Sequence, residues 1–252
     1  MSKDIISRGF DSASLKVERA IRHVDELKTL IDEIRNLDLS DRITITKDAD
    51  DRYVAAFKAL PEEVKMLPLV IGDAIHNCRS ALDHIWTALD RSISPKKNVF
   101  SLFLFHETRD NLEDAISKSP IKEAFPDTER LLLDCIKPHS DAGGDHVFWA
   151  ITKFDKLDKH NMAIPIMTID WFERIIVRTG SMEVPMQNVR AAECTNFAAS
   201  DSPVELENKG RLTVTPEFPH GTVLPGKPVL PAVIHMSEAT GKAVELFRES
   251  FL

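Results

Sequence analysis

The sequence predicts an α+β fold: a helical bundle core with a small β-hairpin insertion, followed by a strand-rich C-terminal part and a closing helix. Two observations carry this. Up to about residue 160 apolar residues recur mostly at helical spacing. From there to about residue 235, short β-branched runs are punctuated by Pro and Gly. The length of 252 residues allows one domain or two, and the layout reads as one, with 1–160 mainly helical and 161–252 β-rich before a C-terminal helix.

A first long helix is expected from Asp11 to Asn36, on the spacing of Leu15, Ala20, Val24, Leu27, Leu30, Ile31 and Ile34, with Asp11 or Ser12 as its cap. The period then changes. Arg42 to Thr46 and Tyr53 to Phe57 flank a polar turn, which is a hairpin pattern. Pro61 and Pro68 lead into a second helix, Leu67 to Arg91, with the apolar stripe Ile71, Ile75, Cys78, Leu82, Ile85 and Leu89; Ser94 to Asn98 ends it. Thr108 and Thr128 are suited to cap two shorter helices, the second stopping before Pro138. A further helix is expected from Asp145 to Lys159, with Val147, Ala150, Ile151, Phe154 and Leu157 on one face. Strands are expected at Ala163 to Met167, Arg174 to Arg178, Met182 to Met186, Gly210 to Thr215 and Val229 to His235. Leu224-Pro225-Gly226-Lys227 suits a type II turn, and Ser237 is suited to cap the last helix, which buries Ala243, Val244, Phe247 and Phe251.

Composition narrows the function. Hydrophobic residues at 43% and charged residues at 29% allow an ordinary core. The net charge of −8 and pI of about 5.6 argue against non-specific nucleic-acid binding, which draws most of its affinity from a basic excess. A local basic pocket is compatible with that balance. Cys78, Cys135 and Cys194 are odd in number and form no CxxC; Cys78 and Cys135, among apolar neighbours, read as buried reduced thiols. Met1 to Phe10 lacks the apolar stretch of a signal peptide, and no run approaches the ~18 apolar residues of a membrane span. A cytoplasmic protein without a membrane role is therefore expected.

The most informative segment is Ile71 to Trp86. Beside its apolar stripe run two polar ones: His76, Arg79, Asp83 and Trp86, and Asp73, Asn77, Ser80, His84 and Thr87. Between Ile71 and Arg91 there is no Lys or Glu, the usual residues of a solvated face. His, Asn, Arg, Ser and Asp stand there instead, suited to specific hydrogen bonds. One reading makes them a buried network, with Arg79 and Asp83 pairing at four residues' separation. The other makes Arg79, His84, His76 and Asp83 a catalytic group. A second candidate, Asp155 to Asn161, closes a helix: Lys159, His160 and Asn161 suit its C-terminal end, whereas Asp158 opposes the helix dipole and is expected to pair with Arg79 or a histidine.

Ile71-Gly72-Asp73, His76-Asn77, Arg79 to His84, and the later Asp158-Lys159-His160 resemble an uncharacterised bacterial protein family with the same motifs in the same order. That resemblance implies fold and layout and no activity. A wider resemblance is to the HEPN superfamily of helical bundles, many of them metal-independent endoribonucleases marked by an Arg and a following His on one helix. Arg79 and His84 match with four residues between; Ser80 stands where that family usually has Asn, Asp or His. It implies a homodimer with the site across the interface and RNA as substrate. His84 would move a proton, and Arg79 would hold a phosphate. Five residues apart, the two side chains leave the helix about 140° apart.

No metal or other cofactor is expected. His76 and His84 are separated by about 12 Å of helix rise and cannot share one ion, which leaves His84 with His160 and an acid as the ligand set still open; HExxH, GxSxG, GxxxxGK[ST] and GxGxxG are absent. The competing function is a non-catalytic binding or structural dimer module in which the polar helix is a buried hydrogen-bond network.

Overall fold

Helix α1 (Ser2–Arg35) begins nine residues before the expected start, so Asp11 and Ser12 lie within it. Its buried face is Ile6, Phe10, Ala13, Ala20, Leu27, Ile31 and Ile34, and Leu15 points to solvent. The computed structural model describes residues 2–36, 43–57, 62–94, 101–160, 164, 166–191, 196–208 and 212–252. The expectations for Pro95 to Asn98, Asn161 and Cys194 fall outside them, as does the side chain of His160.

Strands β1 (Ile43–Lys47) and β2 (Tyr53–Phe57) form the expected antiparallel hairpin. The Asp48 carboxylate closes its turn by accepting from the amides of Asp50 and Arg52. The hairpin is not a free insertion: β5 (Asn196–Ser200) pairs with the far edge of β2, giving the order β1-β2-β5.

Helix α2 (Glu62–Ile93) starts before Pro68 and runs through it. Val64 and Leu67 are buried on the near side of that proline, so packing offsets the missing amide. The whole expected stripe from Ile71 to Leu89 is enclosed. Thr108 caps α3 (Arg109–Ser117) by accepting from the Asn111 amide. Thr128 caps nothing. It is buried inside α5 (Asp127–Arg130), which follows α4 (Pro120–Ala124), a helix with Ser119 as its cap. A π-helical turn, Leu131–Ile136, continues α5. Its wider winding keeps Leu131, Leu132, Leu133 and Ile136 inward and leaves Cys135 exposed, against the expectation of a buried thiol. Cys78 is buried as expected, and burial pushes its thiol up to about 11. Helix α6 (His146–His160) starts on Asp145, whose carboxylate accepts from the Val147 amide.

In the C-terminal part, β3 (Met167–Thr179) pairs along one edge with β4 (Met182–Ala191). Along the other it pairs with β7 (Leu212–Glu217) and then β6 (Val204–Asn208). All three pairings are antiparallel. Gly180 at φ 56° makes the β3–β4 turn, and Pro185 falls in β4, which lies at the sheet edge. Gly226 at φ 67° and the Lys227 amide bonded to the Leu224 carbonyl make the expected type II turn.

Val229 to His235 is not a strand. It opens α7 (Val229–Phe251). Val229, Val233, Met236, Thr240, Ala243, Val244 and Phe247 share its buried face, and Pro231 sits in the first turn, where no amide donor is needed. Ser237 is therefore mid-helix and bonds back to the Val233 carbonyl. Helices α1, α2, α6 and α7 and residues of the sheets contribute to one continuous apolar core. No helix among the described residues is long and apolar enough to cross a membrane.

Candidate functional site

The polar residues of α2 leave the helix in different directions. Arg79 and Asp83 point towards α6 and the 101–105 segment. The Arg79 guanidinium donates from Nε to Asp83 (3.1 Å), from one terminal nitrogen to Thr152 Oγ1 (2.5 Å) and from the other to the Phe103 carbonyl (3.4 Å). Its plane lies over the Phe105 ring, 4.3 Å from the centroid. Asp83 in turn accepts from the Phe103 amide at 2.8 Å. Only about a tenth of either side chain is exposed. Burial pushes the Asp83 carboxyl above its ordinary range, although Arg79 pulls it down. These two residues therefore pair as expected and fasten three parts of the chain together. Trp86, on the same stripe, packs edge-on against Phe103.

One turn earlier, His76 meets α6. Its Nδ1 lies 2.8 Å from Asp155, and Lys159 donates to the other Asp155 oxygen, also at 2.8 Å. Ser80 Oγ is 3.3 Å from His76 Nε2. Serine, histidine and aspartate thus stand in hydrogen-bonding order. Ser80 sits mid-helix, where the surrounding amides are consumed by the helix itself, so the group lacks the convergent backbone donors of an acyl-transfer site. Asp155 is buried, which raises its pKa, but the bonds from His76 and Lys159 prevail and hold it below the usual carboxylate range.

The partner of His76 is thus Asp155, not Asp158. Asp158 sits against Gly72, where an added Cβ would lie 2.7 Å from its Oδ1; the glycine makes room for that carboxylate. Burial and the charges of Asp73 and Asp155 raise its pKa. It forms no ion pair with Arg79 or a histidine among the described residues. No group of three or more His, Cys, Asp or Glu among them is arranged to hold a metal. Where His160 directs its side chain lies outside the described residues.

His84 leaves α2 on the side of α1. Its Nδ1 is 2.9 Å from Ser12 Oγ. Nearby, Asn77 accepts from Lys16 at 3.4 Å and bonds its own helix at the Asp73 carbonyl. Burial, then the charge of Lys16, lowers the His84 pKa from its ordinary 6.5. His84 also lines an open cleft of about 440 Å³ with Ile5, Arg8, Gly9, Ser12, Thr87, Ala88 and Arg91. The stripes 5, 8, 9, 12 and 84, 87, 88, 91 each keep helical spacing, so two antiparallel helix faces build this cleft. At its floor the helices nearly touch: a Cβ on Gly9 would lie 2.1 Å from that of Ala88.

Of the residues singled out from sequence, the structure joins Arg79 with Asp83, places His76 on Asp155 and sends His84 to a different neighbour. Arg8, Thr152 and Arg91 gave no site signal in the sequence, and Ser12 only that of a helix cap, because their roles depend on which helix faces meet. Compared with family models, curated proteins and solved structures, the chain has no match.

Proposed function

We propose that this protein is a non-catalytic binding module on a HEPN-like helical core, with its ligand site in the His84 cleft and the Arg79–Asp83 pair as architecture. The enclosure of Arg79 carries this reading. A guanidinium with three hydrogen-bond partners and an aromatic face would have to abandon a buried carboxylate to reach a phosphate. Breaking such a pair costs about 3–5 kcal/mol. His84 bonds to α1 instead, so the two residues do not converge within one chain.

One observation favours a second reading, a metal-independent endoribonuclease. His84 lines an open cleft beside Arg8 and Arg91, which would take over the phosphate-holding role given to Arg79. RNA is then the substrate and a homodimer completes the site, as the HEPN resemblance implies. An RNA-cleavage assay with EDTA present, on wild type, His84→Ala and Arg79→Ala, separates the two. No cleavage is expected from any of them, with Arg79→Ala merely less stable. Cleavage by wild type that His84→Ala abolishes, its fold intact, would overturn the non-catalytic reading.

A further inference from the structure

Beyond the presence of a ligand site, the cleft between the N-terminal part of α1 and the C-terminal part of α2 has a definite chemistry. Arg8, Ser12, His84, Thr87 and Arg91 are its polar lining; Ile5 and Ala88 are apolar. Gly9 meets Ala88 and Ser12 meets His84, so Arg8 and Arg91 share one end. His84 and Arg91 are about 10 Å apart along α2, and the Arg91 charge acts on the His84 ring. We propose that this cleft binds a phosphomonoester, its phosphate held by Arg8 and Arg91 beside His84, with its organic part on Ile5 and Ala88.

Charge supports this against the acidic balance of the whole chain. Among the described residues no acid lines the cleft; Asp83 pairs with Arg79 and Asp11 with Arg248, and Asp90 accepts from Ser101. Asp4 reaches Arg8 at 3.4 Å, but both side chains are exposed, and a pair of that kind yields readily to a doubly charged ligand. Lys16 adds a further positive charge close to His84. Ser12 Oγ, 2.9 Å from Nδ1, holds the His84 ring against α1 at the side of the cleft. Two guanidiniums match the charge of close to −2 on a monoester better than the single charge of an RNA diester. The cleft volume of about 440 Å³ falls within the range of small-ligand sites.

This assignment rests on the binding-module reading, and its test can fail separately. The full chain is titrated calorimetrically with AMP, adenosine, inorganic phosphate and an RNA oligomer lacking a terminal phosphate. AMP is expected to bind at least about tenfold more tightly than adenosine, inorganic phosphate to compete with it, and Arg8→Gln or Arg91→Gln each to weaken AMP by about tenfold. Both arginines are exposed, so the variants are expected to fold as wild type does, which circular dichroism checks. Equal binding of adenosine, no binding of AMP at millimolar concentration, or indifference to both substitutions would overturn the proposal. So would an oligomer that binds more tightly than AMP and is lost in the same variants, which would assign the cleft to RNA. Cleavage of that oligomer would overturn the non-catalytic reading, and the AMP arm would still decide this one.

Discussion

Arg79 and His84 show how much a single residue's meaning depends on what faces it. Both are polar residues of one helix. One is locked by Asp83, Thr152 and the Phe103 backbone; the other borders open space. Arg79→Gln leaves Asp83 buried without its counter-charge, and urea unfolding is expected to show a loss of about 3–5 kcal/mol. Adding Asp83→Asn removes that stranded charge and keeps an oxygen for the Phe103 amide, so the double variant should be more stable than Arg79→Gln alone. His84 gives a pH prediction. Its folded pKa lies below the ordinary 6.5, so as pH falls the unfolded chain takes up the proton first. The stability tied to the neutral ring is present at neutral pH and lost as pH drops through 6.5 towards the folded pKa. Between about pH 7 and pH 5 the unfolding midpoint of wild type should therefore fall further than that of His84→Gln. Equal falls would contradict the environment described here, set by Ser12, Lys16, Asp83 and Arg91.

At the scale of elements, α1 and α2 cross in close contact at Gly9 and Ala88. Gly9→Ala gains helix propensity of about 1 kcal/mol but drives a Cβ to 2.1 Å from Ala88. The helices must separate, and a net loss of about 1–3 kcal/mol is expected by thermal unfolding. Ala88→Gly should restore much of it in the double variant; a Gly9→Ala protein as stable as wild type would contradict the crossing. Legibility follows the same boundary. The buried stripe of α2 was readable because its period alone identifies it. The strand expected at Val229 to His235 failed because a short β-branched run suits a strand or a buried helix equally, and only packing against the core decides. The exposure of Cys135 was hidden for a related reason: a π-turn shifts the register by a residue, which no apolar pattern announces.

Across the whole molecule, the features that join the helical and strand-rich parts include the β2–β5 pairing and the shared core beneath α7. The α+β layout was legible from the change of period near residue 160. Missing from the sequence reading was that the early hairpin recruits a strand from much later in the chain. Replacing Asn196 to Ser200 with a Gly-Ser segment of equal length should raise amide exchange in Tyr53–Phe57 by at least about tenfold while α2 keeps its protection. Unchanged exchange in β2 would contradict the pairing. The candidate site was legible only by half: residue types on α2 marked a polar helix, but which of them are architecture depends on α1 and α6 packing against opposite sides of it.

That division of labour is the central claim, and one measurement addresses it directly: calorimetric titration of AMP into the Arg79→Gln/Asp83→Asn double variant, with folding checked by circular dichroism. If Arg79 and Asp83 only hold the fold, the folded double variant should bind AMP within about threefold of wild type. A folded double variant that has lost AMP binding would place Arg79 or Asp83 in the working site and contradict the account.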